Sequence, residues 1–269
     1  MGIWFMQKQL TGKKIIITGA SSGIGEKLVW RIAEAGGTPL MIARSISKLT
    51  AIKKRIWEHY QIESYVYEAD LLVKKDREAV IEFILIEHEQ IHGLINNAGI
   101  GKFAHFLEMC QQEMDNMFEL NVHALIQMSK RFLAHFDSFN EGHIVNIASQ
   151  AGKIATPKAA IYSSTKHAVI GFSNGLRLEL KKTNVFVTVV NLGPVQTDFF
   201  QTADPNGTYQ ENVSQYMLNP DKVAIKIVNH LFESKREINL PLWMEIGSRL
   251  YQLFPVAFER ILQKQFTKK

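Results

Sequence analysis

Two spacings of apolar residues alternate along this chain. Short runs rich in β-branched side chains predict strands at 14–17, 38–42, 64–67, 93–95, 143–147, 186–190 and 237–240. Between them, apolar residues recur every three or four positions over 24–35, 47–59, 75–88, 112–136, 163–181 and 221–232, the repeat of a helix with one buried face. Strands alternating with helices predict βαβ crossovers, hence an α/β, doubly wound parallel sheet with helices on both faces. Ligands of such sheets bind beyond the carboxyl ends of the strands, so informative residues should fall just after strands. The pattern changes at Leu242. From there to Phe266 the chain is aromatic and basic, is divided by Pro255, and carries one helical stripe of Ile246, Leu250, Leu253 and Phe254 and another of Phe258, Ile261 and Leu262. Residues 1–241 therefore read as a single domain and 242–269 as an amphipathic helical extension.

Composition narrows the function classes. With 269 residues, 46% hydrophobic and 21% charged, the chain can bury a sizeable core. Its one cysteine, Cys110, excludes an internal disulfide and a cysteine-cluster metal site, and no metal is expected. Its neighbours Leu107, Met109 and Met114 suggest a partly buried thiol. The net charge of +5 is spread over helical patterns with no basic run interleaved with aromatics, so no nucleic-acid partner is expected. The first ten residues do not read as a signal peptide, and no run approaches the roughly 18 apolar residues of a spanning helix; a soluble, cytoplasmic protein is expected.

The first strand ends in Thr18-Gly19-Ala20-Ser21-Ser22-Gly23-Ile24-Gly25 and runs into a helix. Glycines there permit a tight turn and close approach of a pyrophosphate to free N–H groups at the helix start, so a bound dinucleotide is expected ahead of a merely structural turn. No carboxylate closes the second strand to hold a ribose hydroxyl. Arg44 stands there and suits a 2′-phosphate, so NADP(H) is expected ahead of NAD; alternatively Arg44 packs on adenine or points to water. Asp70, before Leu71, either accepts from the adenine amino group or caps the next helix. Asn96-Asn97-Ala98-Gly99 ends the fourth strand, either bridging strands beside the cofactor ribose or forming an ordinary turn. Beyond the sixth strand, Val195 and Thr197 either meet the nicotinamide carboxamide or belong to a plain loop after Gly193-Pro194.

Tyr162 and Lys166, four residues apart, share one face of a helix, which by itself reads as an ordinary solvated face and gains a chemical reading only beside the other motifs. A phenol is a poor acid near neutrality, with an ordinary pKa of about 10, and a fixed ammonium beside it favours the phenolate. Ser149, at the carboxyl end of the fifth strand, either binds a substrate carbonyl or forms a turn. Asn121 falls on the apolar stripe of its helix, where a buried amide needs partners; it either satisfies backbone groups, holds water near Lys166, or does both.

Together these residues resemble the short-chain dehydrogenase/reductase family in order and spacing, from about Lys13 to Leu240. The resemblance implies a Rossmann domain with a seven-stranded sheet, a tetrad of Asn121, Ser149, Tyr162 and Lys166, a homodimer or homotetramer, and, from Arg44, the NADP-preferring branch. The cofactor would lie on Gly19, Ser21, Ser22, Gly23, Ile24, Gly25, Arg44, Asp70, Leu71, Asn97, Ala98, Gly99, Tyr162, Lys166, Val195 and Thr197. The substrate, a small carbonyl or alcohol compound, would meet Ser149 and Tyr162. The expected reaction is reduction of a ketone or aldehyde by NADPH; the competing reading is a silent NADP(H) sensor or scaffold. Aromatic residues between Phe199 and Asn219 suggest an apolar pocket wall, or else core. The tail is expected to bury against protein, its own or a second copy's, ahead of a membrane surface or the rim of the pocket.

Overall fold

A computed structural model describes residues 9–266. Seven strands, β1 (Lys14–Thr18), β2 (Thr38–Ala43), β3 (Tyr65–Glu68), β4 (Gly93–Asn96), β5 (Gly142–Ile147), β6 (Val185–Leu192) and β7 (Glu237–Leu240), form one parallel sheet in the order β3-β2-β1-β4-β5-β6-β7. Strand order reverses between β1 and β4, which opens a crevice at their carboxyl ends.

Alternation along β1 shows how the sheet is covered. Ile15 and Ile17 face one layer, built from α1 (Gly23–Glu34), α2 (Ile46–Tyr60) and a later helix over residues 220–228. Ile16 faces the other, built from α3 (Lys74–Glu87), α5 (Leu125–Phe139) and α6 (Ala160–Glu179). The pleat period of two thus sends adjacent isoleucines into separate cores.

The predicted helix at 112–136 is not continuous. It divides into α4 (Gln111–Phe118), a π turn over Glu119–Ala124, and α5. The wider turn brings Asn121, Val122 and Ala124 inward together. Residues after Thr197, left without elements by their composition, form α7 (Phe199–Ala203) and α8 (Thr208–Val213). Next comes α9 (Pro220–Val228), started by Asn219, whose Oδ1 accepts from the N–H groups of Asp221 at 2.9 Å and Lys222 at 3.1 Å. It stops short of the predicted 232, where Phe232 takes a φ of 63° and donates its N–H to His143 Nδ1 at 2.8 Å.

The tail forms α10 (Leu242–Leu253) and α11 (Pro255–Phe266). Its predicted first stripe does not pack on the body: Ile246, Leu250, Leu253 and Phe254 are exposed. Cys110 is likewise exposed, because it precedes α4 on an outer loop. Among the described residues, no helix is long and apolar enough to cross a membrane.

Candidate active site

The glycine turn is shaped by close approach. Gly19 has a φ of 65°, a left-handed conformation, and a Cβ there would lie 3.0 Å from Ala98 Cα. A Cβ on Gly25 would collide with the Gly19 carbonyl oxygen and come within 2.7 Å of Asn97 Nδ2. Thr18 Oγ1 accepts the N–H groups of Asn97 at 3.0 Å and Ala98 at 2.9 Å, and Asn97 Nδ2 returns a bond to Thr18 O at 2.9 Å. Asn97 therefore bridges β1 and β4, and more than an ordinary turn is built there. No side chain caps α1, so the N–H groups of its first turn remain for a ligand.

From this turn a cleft of about 1610 Å³ runs along the strand ends. Gly19, Ser21, Ser22, Gly23, Ile24, Arg44, Asp70, Leu71, Asn97, Ala98, Gly99, Ser149, Tyr162, Lys166, Val195 and Thr197 all line it. Two predicted site residues do not. Gly25 stands behind the turn, where it permits packing and touches no ligand space. Asn121 is buried one layer back: its Oδ1 accepts the Ile100 N–H at 2.9 Å, and its Nδ2 donates to Ile100 O at 2.8 Å and Thr165 Oγ1 at 3.1 Å. Both amide hydrogens are used, so the side chain does satisfy buried polar groups, the first of the two compatible roles expected of it. Asp70 does not cap α3, whose N-cap is Val73; its Oδ1 accepts the Leu72 N–H at 3.0 Å in a turn before the helix. Arg44 is exposed at the far end of the cleft beside Lys48.

These surroundings fit a dinucleotide. The glycines make a cradle that side chains would fill, an uncapped helix start faces it, and two cations stand at one end. The residues that would hold it are those lining the cleft from Gly19 to Leu71.

At the other end, Ser149 Oγ donates to Leu192 O at 3.2 Å, accepts from the Ala151 N–H at 3.1 Å, and lies within hydrogen-bond reach of the Tyr162 hydroxyl. Burial pushes the Tyr162 phenol above its usual range, and the Ser149 bond offsets this only in part. That reverses the expected lowering. Lys166 sits 5.7 Å from the phenol ring centroid, but its Nζ donates to Ile147 O at 2.9 Å. Burial lowers the Lys166 ammonium to about 8.

Aromatic rings close the reacting end. Phe103 lies 5.7 Å from Tyr162 and 4.9 Å from Tyr209, and Phe199 lies 5.8 Å from Tyr162, between ring centroids. Phe199, Phe200 and Tyr209 line the cleft as a pocket wall, while Leu218 pairs with Val195 instead. Phe103 was missed, although its place four residues after the Asn-Ala-Gly turn puts it at a strand's carboxyl end. Trp243, Met244, Gly247 and Phe258 of the tail also line the cleft.

The family model for the short chain dehydrogenases matches residues 13–207. The NADP-dependent 3-hydroxy acid dehydrogenase of Schizosaccharomyces pombe is 33% identical over 193 residues, covering 71% of this chain and 74% of its own. A short-chain dehydrogenase from Sphingobium yanoikuyae in complex with NADPH superposes with a TM-score of 0.77 at 25% identity, covering 91% of this chain and 95% of its own. One from Burkholderia phymatum in complex with NAD, at 21% identity and covering 95% of this chain and 96% of its own, shares the fold with a TM-score of 0.83. With the glycine turn, the strand-end cleft and the Ser149–Tyr162–Lys166 grouping in place, the chain belongs to the short-chain dehydrogenase/reductase family of NAD(P)-dependent oxidoreductases.

Proposed function

We propose that the protein is an NADPH-dependent carbonyl reductase acting on an apolar ketone or aldehyde. One observation carries this reading: Ser149, Tyr162 and Lys166 gather on the wall of a cleft that continues unbroken to Arg44. The residues lining the cleft from Gly19 to Thr197 would hold a nicotinamide dinucleotide, which would supply the hydride. Ser149 holds the substrate oxygen by a hydrogen bond. Tyr162, kept protonated by burial, gives that oxygen its proton, so hydride and proton together make the alcohol. Lys166, about one turn along on the same helix face, supplies positive charge as the phenolate forms and stabilises it. Asn121 acts at one remove, holding Ile100 and Thr165 in register. Phe103, Phe199, Phe200 and Tyr209 exclude water and favour apolar substrates.

The arginine at the second strand's end favours NADPH over NADH, because its fork suits a 2′-phosphate. A panel of ketones, aldehydes and alcohols, followed by nicotinamide absorbance with each cofactor, tests the reading. Tyr162→Phe is expected to lower turnover by about 10²-fold or more while NADPH binding stays within about threefold. Unchanged turnover removes Tyr162 as the acid; absence of any turnover in the native protein favours a cofactor-sensing role.

A further inference from the structure

A second buried cluster has no part in the reaction as described. Lys153 lies four residues past Ser149, at the end of the turn over Gln150–Gly152. Its Nζ is 2.7 Å from Glu237 Oε2 on β7, 2.6 Å from Glu245 Oε2 on α10 and 3.0 Å from Asn239 Oδ1. The Lys153, Glu237 and Glu245 side chains are 10%, 17% and 5% exposed. Burial raises both carboxyls, but the bonds to Lys153, joined by Asn239 and Arg236 at Glu237 and by Arg249 at Glu245, together hold them below the usual carboxylate range.

This cluster explains how α10 is seated. The helix is turned against ordinary amphipathic logic: its buried residues are Glu245 and Ser248, while Leu242, Trp243, Ile246, Leu250 and Leu253 are exposed. Hydrophobic burial does not fix its orientation, and the ion cluster does. In that orientation Trp243, Met244 and Gly247 line the cleft. Met244 Sδ would lie 2.7 Å from a Cβ on Gly193, which opens the loop carrying Val195 and Thr197. The Trp243 ring packs 5.6 Å from that of Tyr216, across from the segment after α8. On the other side, the turn ahead of Lys153 rests on α6 so closely that a Cβ on Gly152 would come within 2.8 Å of the Lys166 carbonyl oxygen.

We propose that Lys153 is a positioning residue that sets substrate specificity: clamped between Glu237 and Glu245, it fixes α10 as the outer wall of the cleft and ties that wall to the Ser149 turn. Bulky carbonyl compounds that reach α10 depend on the clamp; small ones do not. The kinetic part rests on the reductase reading, and the mechanical part does not.

Hydrogen exchange on the full chain without ligand, followed by mass spectrometry, tests the mechanical part. In Lys153→Met, the amides of residues 242–253 and 150–154 are expected to exchange at least about tenfold faster together, while β1 and β4 keep their protection. Loosening of α10 alone, of neither segment, or of β1 and β4 equally overturns the proposal. Should Lys153→Met fail to fold, Glu245→Gln keeps the shape and one hydrogen bond and carries the same test, with a change of roughly threefold expected. In the kinetic arm, KM for benzophenone rises at least about fivefold in Glu245→Gln, while KM for NADPH and kcat for cyclohexanone stay within about twofold. Equal rises for ketone and cofactor overturn the specificity role. If the native protein reduces neither ketone nor any other compound of the panel, the reductase reading fails and the exchange result still decides the clamp.

Discussion

Lys166 holds its ammonium in a place that resists charge. It is 6% exposed and has the Ile147 carbonyl as hydrogen-bond partner, so burial brings it to about 8. The folded state therefore binds fewer protons than the unfolded state between about pH 8 and the ordinary lysine value of about 10.4, and stability rises with pH through that window. Below pH 8 the charged form costs about 3 kcal/mol. Lys166→Met is thus expected to raise Tm by a few degrees near neutral pH while losing turnover. Carbonyl reduction by the native protein should be flat below about pH 8 and fall above it, since the phenol keeps its own proton to higher pH. A Tm that drops in the variant, or a profile flat to pH 10, contradicts this assignment. Arg44 belongs to the same scale. Arg44→Leu should cut the kcat/KM preference for NADPH over NADH by at least about tenfold, the share of a charge-assisted contact; an unchanged ratio returns Arg44 to the adenine or to solvent. The spacing of Tyr162 and Lys166 was legible because i and i+4 share a helix face. The sign of the phenol shift was not, because burial by Phe103, Phe199 and Tyr209 comes from distant segments.

At the scale of elements, every predicted strand is present, because β-branched runs bounded by turn residues carry a local signal. The glycine turn was equally legible, but its members differ in kind. Gly19 faces the ligand space and Gly25 serves packing. Gly25→Ala is expected to cost about 2 kcal/mol or more by overpacking against Gly19 and to weaken NADPH binding at least about tenfold. Gly171→Ala is the contrast: it lies within α6 with nothing within 4 Å of a new Cβ, and should stabilise by roughly 0.5–1 kcal/mol. Urea melts and NADPH fluorescence titrations measure both, and variants that move in the same direction would remove the steric explanation. The π turn escaped the sequence reading. One added residue per turn leaves an apolar stripe almost unaltered, and the demand for it comes from Ile100 and Thr165, which Asn121 must reach.

The whole molecule shows a different chemistry at the amino ends of the central strands, opposite the cleft. His88, His92, His135 and His143 are all held below the usual histidine range, chiefly by burial, and His143 falls to about 3. Their nitrogens are committed: His92 Nδ1 accepts the Lys14 N–H at 3.1 Å, and His135 Nε2 accepts the Ile91 N–H at 3.0 Å. The unfolded chain takes protons near pH 6.5 that the folded one refuses. The contribution of His143 is thus complete above about pH 6.5 and lost as pH falls toward 3, by about 1.4 kcal/mol per pH unit, and the other three act in the same direction. Urea midpoints should begin to fall near pH 6.5, not near 4.5 where carboxylates titrate, and His143→Gln should shallow the slope. A midpoint constant from pH 7.5 to 5 rules the histidines out.

What the sequence alone determined is what short-range periodicity encodes: the alternation of strands and helices, the glycine turn at a strand's end, and the shared helix face of Tyr162 and Lys166. Tertiary structure decided what depends on residues far apart in the chain. It set the phenol's raised pKa, moved Asn121 behind the cleft, brought Phe103 into the wall, and placed α10 there through Lys153, Glu237 and Glu245. The physical reason is that burial and ion pairing act between surfaces that meet only on folding, and no local pattern of side chains records which surfaces those are.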